Sequence, residues 1–112
     1  AIIGGLTPIH QFSRIGSYCM IGGASAVSQD VCPFVLATGN TVVLRGLNIV
    51  GLRRRGFSDE EISNLKKAYR ILFRQGLQLK DAVEELEKNF SEDKNVKYLV
   101  DFIKSSDRGI AR

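Results

Sequence analysis

Four places in this 112-residue chain hold residue types that can do chemistry. The first is Arg53-Arg54-Arg55. Arginine presents a planar fork of donors that matches a phosphate. Three consecutive arginines cannot all turn to one ligand, so one or two of them bind and the rest stay in solvent. Asn48, just upstream, adds an amide that can both donate and accept. The third is His10, the only histidine, followed by Gln11. A bulky polar pair there points out of a wall, as a surface histidine or as a ligand contact. The last is Gly22-Gly23, which leaves backbone uncovered. That gives either a tight corner or the floor of a groove that a ligand approaches closely. No nucleophile–base pair, phosphate-cradling glycine loop or zinc spacing accompanies them.

The element that must position the first forty residues follows from a period of six. Ile3, Ile9, Ile15, Ile21 and Val27 are evenly spaced, and Thr7, Ser13, Cys19, Ser25 and Val31 fall four residues after each. Neither a helix, near 3.6, nor a half-buried strand, near 2, has this period. A solenoid of short strands does, with one aliphatic filling the interior of each strand and a small residue at each turn. Gly4, Gly16 and Gly22 follow three of the aliphatics, as expected for corners of positive φ. At Cys32-Pro33 the register fails, and Gly39-Asn40 signals a turn between two apolar runs. Residues 1–50 are therefore read as β-helix coils with an irregular exit. The chain begins inside a formed repeat with no atypical capping repeat, so a C-terminal portion of a longer protein is expected.

Residues 51–112 read as a helical domain. Ser58 with Glu61 forms a capping box, and Asp59, Glu60 and Glu61 suit the first turn. Ile62, Leu65, Tyr69 and Leu72 share a face, and Gly76 is the expected stop. A second helix carries Leu79, Val83, Leu86 and Phe90, a third Val96, Leu99, Val100 and Ile103. Such stripes must pack on one another or on the β-helix. Asp107 to Arg112 read as a loose tail.

The net charge is +4, and its distribution matters more. Residues 45–76 hold eight bases against three acids, whereas 1–44 hold one of each and 77–112 seven against eight. A basic middle stretch suits an acidic partner or a phosphate-bearing ligand. Lys66 and Lys67 taken alone read as a solvated helix face. The aromatic interleaving of a nucleic-acid surface is missing, so no nucleic-acid partner is expected. Two cysteines without metal-ligand spacing point to a reducing compartment, and no apolar run is long enough to span a bilayer. A cytoplasmic location is expected.

Several motifs together carry a resemblance. Ala1-Ile2-Ile3-Gly4-Gly5, His10-Gln11-Phe12, Gly22-Gly23, Gln29-Asp30-Val31, Gly39-Asn40, Asn48-Ile49, Arg54-Arg55-Gly56-Phe57 and the terminal Arg108-Gly109 with Arg112 resemble the C-terminal part of the acyl-[acyl-carrier-protein]–UDP-N-acetylglucosamine O-acyltransferases. The Arg-Arg-Gly-Phe junction is more specific than the hexapeptide repeat, which many acyltransferases share.

The resemblance implies a mainly β plus α fold: a left-handed parallel β-helix followed by a helical domain, assembled as a homotrimer. It implies transfer of a 3-hydroxyacyl chain from acyl carrier protein to the glucosamine 3-hydroxyl of UDP-N-acetylglucosamine, the first step of lipid A synthesis, without a metal or other cofactor. By the same resemblance His10 and Gln11 are substrate contacts between subunits, and Gly23 limits acyl-chain length. Asn48 meets the nucleotide, and Arg54 and Arg55 its phosphates. The general-base histidine of the family has no counterpart in this chain, so no catalytic residue is assigned. Val50 stands where many members have an acid near the nucleoside. Two rival readings are a related hexapeptide acyltransferase, such as the N-acyltransferase later in the same pathway, and a non-catalytic trimerisation and carrier-docking module. The Arg54-Arg55-Gly56-Phe57 junction argues against the first.

Overall fold

The computed structural model describes every residue except Phe12 and Arg108. Those two belong to the quoted motifs and lie outside the described residues.

The six-residue period is realised as three parallel ladders around a coil. Strand β1 (Ile2–Ile3) pairs with β2 (Met20–Ile21), and β2 pairs with β3 (Val35–Thr38), all in parallel. Isolated parallel bridges join Ile9 to Val27 and Ile15 to Val31. Ile3 thus stacks under Ile21, and Ile9 under Val27, eighteen residues or three repeats apart. The next partner of Ile15 is Val31, only sixteen residues on. The coil loses two residues between Val27 and Val31, before the proline that marked the break in the sequence. Val31 therefore fills an aliphatic slot, fully buried, rather than a small-residue slot. Its side chain takes the place next to the core that the register had given to Pro33.

The corners correct a second expectation. Gly4, Gly16 and Gly22 are not where φ turns positive. That conformation falls two residues later, on Leu6, Tyr18 and Ala24, at φ of 55°, 61° and 57°, and again on Phe34 at 71°. The glycines serve close approach instead. A Cβ on Gly4 would lie 2.6 Å from Gly23 Cα in the next coil, and one on Gly16 would lie 2.6 Å from Pro33 Cα. Backbone on backbone leaves no room for a methyl group.

After β3 the chain reverses. Strand β4 (Val43–Leu47) pairs antiparallel with β3, with a bulge between Leu36 and Ala37, closing the sheet in the order β1-β2-β3-β4. A short helix α1 (Ile49–Arg54) follows directly. The sequence had shown no separate helix across this boundary between the exit segment and the helical domain, because six residues are too few to display a helical period. Helix α2 (Asp59–Phe73) has the expected capping box: Glu61 N–H donates to Ser58 Oγ at 3.1 Å, and Ser58 N–H to Glu61 Oε1 at 3.0 Å. It ends at Phe73, three residues before Gly76, which turns the chain at φ 71°. Helices α3 (Leu79–Asn89) and α4 (Lys94–Lys104) follow. Ile62, Leu65 and Leu72 of α2, Leu86 of α3 and Val96, Leu99 and Val100 of α4 belong to one continuous core with Ile21, Val31 and Phe34 of the coils.

The C-terminal residues are not a loose tail. Ile110 and Ala111 are buried, and residues 109–111 form a parallel bridge beside Asp30. Asp30 N–H donates to the Gly109 carbonyl at 3.0 Å, and Ala111 N–H to the Asp30 carbonyl at 2.9 Å. Near the start of the coils Ile3, expected inside, is 43% exposed.

Cys19 and Cys32 are buried free thiols. Burial pushes Cys19 up to about 11. Burial, then the charge of Asp30, pushes Cys32 up to about 12. Both behave as small apolar side chains rather than nucleophiles.

Candidate functional site

A pocket of ≈ 230 Å³ lies where α1 meets the start of the coils. Asn48, Val50, Gly51, Arg54 and Arg55 line one side, and Ile2, Tyr18, Cys19 and Met20 the other. An apolar body with a few directed polar groups is the usual make-up of a small-molecule site. Here the polar groups are an amide and two guanidinium groups, so the site suits an anionic ligand with an apolar or aromatic portion.

Asn48 positions the site as much as it furnishes it. It is the N-cap of α1: Gly51 N–H donates to its Oδ1 at 3.2 Å. Its Nδ2 donates to the Tyr18 carbonyl at 3.0 Å, tying the helix to the corner of a coil. Asn carries two donor hydrogens and two acceptor lone pairs on its amide, so half of that capacity remains for a ligand. Gly51 is required by this arrangement, since a Cβ there would lie 2.8 Å from Asn48 Cγ. Arg54 closes the last turn of α1 and Arg55 is its C-cap, where Arg55 N–H donates to the Gly51 carbonyl at 3.1 Å. Both side chains are exposed. A cation at a helix C-terminus is also in its favourable electrostatic position.

The remaining sequence-derived candidates do not reach this pocket within one chain. His10 and Gln11 are exposed at the corner that follows Ile9. His10 N–H donates to the Val27 carbonyl at 2.8 Å, and its own carbonyl accepts from Ser13 N–H at 2.9 Å. Gly23 is exposed at the corner that follows Ile21, where Ala24 N–H donates to the Gly5 carbonyl at 2.8 Å. The pocket itself sits at the third corner, after Ile15. Candidate residues thus occupy all three corners of the coil.

Sequence reasoning missed Tyr18. Its ring lies 5.5 Å from the Arg55 guanidinium. In the sequence it stood as one more large residue near a corner. The usable signal was a basic cluster that had to fold back onto an aromatic, a contact that only the coil register could have paired. Among the described residues no group of three or more His, Cys, Asp or Glu could hold a metal ion. No helix there is long and apolar enough to cross a membrane.

Residues 30–111 match the family model described as UDP N-acetylglucosamine O-acyltransferase, domain 2. The chain is 97% identical over 90 residues to an acyl-[acyl-carrier-protein]–UDP-N-acetylglucosamine O-acyltransferase of Fusobacterium nucleatum, covering 80% of this chain and 35% of that protein. It is 54% identical over 110 residues to the protein of the same name in Campylobacter concisus, covering 98% and 41%. The crystal structure of UDP-N-acetylglucosamine O-acyltransferase from Moraxella catarrhalis matches with a TM-score of 0.94 at 44% identity, over 99% of this chain and 43% of that one. The chain spans less than half the length of each of these proteins.

Proposed function

Because the chain belongs to the UDP-N-acetylglucosamine O-acyltransferases, we propose that the protein transfers a 3-hydroxyacyl group from acyl carrier protein to the glucosamine 3-hydroxyl of UDP-N-acetylglucosamine, the first step of lipid A synthesis. The observation that carries this reading is the gathering of Asn48, Arg54 and Arg55 around one pocket. A uridine diphosphate offers the charge for the two arginines and polar edges for the free half of the Asn48 amide. Val50, at the same rim, contributes an apolar wall rather than a charge. The acceptor hydroxyl must lose its proton as it attacks the thioester carbonyl, and no residue of this chain is assigned as that base. The coils wind left-handed in this proposal, against the usual right-handed rule for parallel crossovers. The location is cytoplasmic.

The same reading makes the protein a homotrimer. His10 and Gln11 lie at a different corner from Asn48, Arg54 and Arg55, and a second copy would bring both sets to one substrate. Mixed oligomers of full-length His10→Ala and Arg54→Ala variants, each impaired alone, are expected to regain activity. Mixtures no more active than the parents would place the whole site in one chain. Acyl carrier protein, being acidic, docks on the basic stretch of residues 45–76, where Lys66 and Lys67 are exposed on α2. That docking weakens as salt rises. Salt-independent binding would remove this surface.

The central test is Arg54→Ala in the full-length enzyme. Losing one charge-assisted hydrogen bond costs about 1.5–3 kcal/mol, so KM for the sugar nucleotide should rise about tenfold to a hundredfold. KM for the acyl carrier should change far less. An equal rise for the carrier would assign Arg54 to docking.

A further inference from the structure

Tyr18 touches two of the three residues proposed to meet the nucleotide, Asn48 and Arg55. Its carbonyl accepts the Asn48 amide at 3.0 Å, and its ring carries the Arg55 guanidinium at 5.5 Å. The ring is itself held in place. Phe34 lies parallel to it at 5.9 Å between centroids, with 4° between planes, and Phe57 meets it edge-on at 5.0 Å. Phe34 is buried in the core, and Phe57 follows Arg55 by two residues. The ring is thus packed against two aromatics that are not part of the pocket lining.

An exposed arginine has many rotamers, and ordering it on binding costs conformational entropy. An aromatic face attracts a guanidinium and restricts those rotamers before the ligand arrives. We infer, on the reading that Arg55 meets the nucleotide, that Tyr18 is a positioning residue for sugar-nucleotide binding, its ring holding the Arg55 guanidinium at the rim of the pocket.

The corner allows a clean substitution. Tyr18 has a φ of 61°, and Leu6 holds the corresponding position in another corner of the same coil, two repeats earlier, at 55°. The same backbone therefore accommodates a leucine. Tyr18→Leu removes the aromatic face and keeps an apolar side chain, whereas Tyr18→Phe keeps the face and loses only the hydroxyl.

Steady-state kinetics on the full-length enzyme, with melting curves, test this. Tyr18→Leu should raise KM for UDP-N-acetylglucosamine about threefold to thirtyfold, with kcat changed by less than about twofold. Tyr18→Phe should restore KM to the parent value. Tyr18→Leu combined with Arg55→Ala should be no worse than Arg55→Ala alone, since the ring would have nothing left to hold. A raised KM in Arg55→Ala with an unchanged one in Tyr18→Leu would overturn the role of Tyr18 and leave that of Arg55 standing. Fully additive losses, or a Phe variant as impaired as the Leu variant, would also overturn it. An unchanged KM in Arg55→Ala would remove the role of Arg55 at the nucleotide, and the role of Tyr18 with it.

Discussion

Asp30→Ala is expected to cost about 2–4 kcal/mol of folding stability at neutral pH. Asp30 is 1% exposed and joins three parts of the chain. Its Oδ1 accepts the Arg14 backbone N–H at 2.8 Å, and its Oδ2 accepts Arg14 Nε at 3.3 Å and Ser106 Oγ at 2.7 Å. Coil one, coil two and the segment after α4 thus meet at one carboxylate. Removing it strands a backbone donor and leaves Ser106 with the Gly109 carbonyl alone, at 3.2 Å. Arg14 fares better, since its guanidinium also reaches the Phe102 carbonyl at 2.9 Å and Ser105 Oγ at 3.0 Å. Its side chain is 43% exposed, so the ion pair is worth less than a fully buried one.

The same carboxylate sets a pH dependence. Burial alone would raise its pKa, but the Ser106 hydroxyl, the Arg14 backbone N–H and the Arg14 guanidinium outweigh burial and hold it below 3.8. A depressed folded pKa means that the unfolded chain takes up the proton first. The contribution of Asp30 is complete above the unfolded value, about 4, and is lost as pH falls through the folded value. Glu61, lowered by the Ser58 backbone N–H and by Asn95, adds to acid sensitivity in a similar window. Urea midpoints at pH 7 and pH 3 should therefore differ less in Asp30→Ala than in the parent, with the Glu61 part retained. An unchanged midpoint at pH 7, or an identical acid shift in both proteins, would show that the junction holds nothing together.

How much of this was legible in the sequence depends on how often each feature repeats. The coil was legible because one aliphatic per strand recurs without a slip from Ile3 to Val27. Helices α2 to α4 were legible because each is long enough to show an apolar stripe and, in α2, a cap pair. Helix α1 was not, being shorter than two turns. The two-residue shortening before Val31 was not legible either, since valine suits both a small and a large slot. Positive φ escaped because it falls on Leu6, Tyr18, Ala24 and Phe34, residue types that ordinarily avoid it. Their conformation is imposed by the stacking of coils, with backbone hydrogen bonds such as Phe34 N–H to the Ser17 carbonyl at 3.0 Å. The tail was misread because Asp30 and residues 109–111 are distant in sequence, and nothing local in Gly109-Ile110-Ala111 announces a strand. Within the candidate site, the residues with a distinctive chemistry, Asn48, Arg54 and Arg55, were visible. Tyr18, which contacts Asn48 and Arg55, was visible only once the coil placed it.

Gly23→Met in the full-length enzyme is expected to change activity with long acyl donors by about a hundredfold relative to short ones. The rationale is the proposal, carried over from the family resemblance, that Gly23 leaves room for the distal end of the acyl chain. Each methylene that can no longer be buried forfeits about 0.8 kcal/mol, and a methionine blocks about three or four of them. The competing view is that Gly23 only serves a tight corner. The geometry makes the two views separable. Gly23 is not at positive φ, and an added Cβ would meet the Gly5 carbonyl oxygen at 3.3 Å, with the Gly5 nitrogen next at 3.7 Å. A side chain there asks for an adjustment of a few tenths of an ångström. Its neighbours are less tolerant: a Cβ on Gly22 would lie 2.8 Å from Thr38 Cγ2, and one on Gly4 would press into the backbone of Gly22 and Gly23. Gly4→Met is therefore the control for a corner that cannot accept a side chain, with a lowered melting temperature and loss with every donor alike. Gly23→Met should melt close to the parent, lose long donors and keep or gain short ones. Rates with donors of graded length, beside melting curves of both variants, decide the matter. If Gly23→Met behaves like Gly4→Met, Gly23 is a packing glycine and the acyl chain is measured elsewhere.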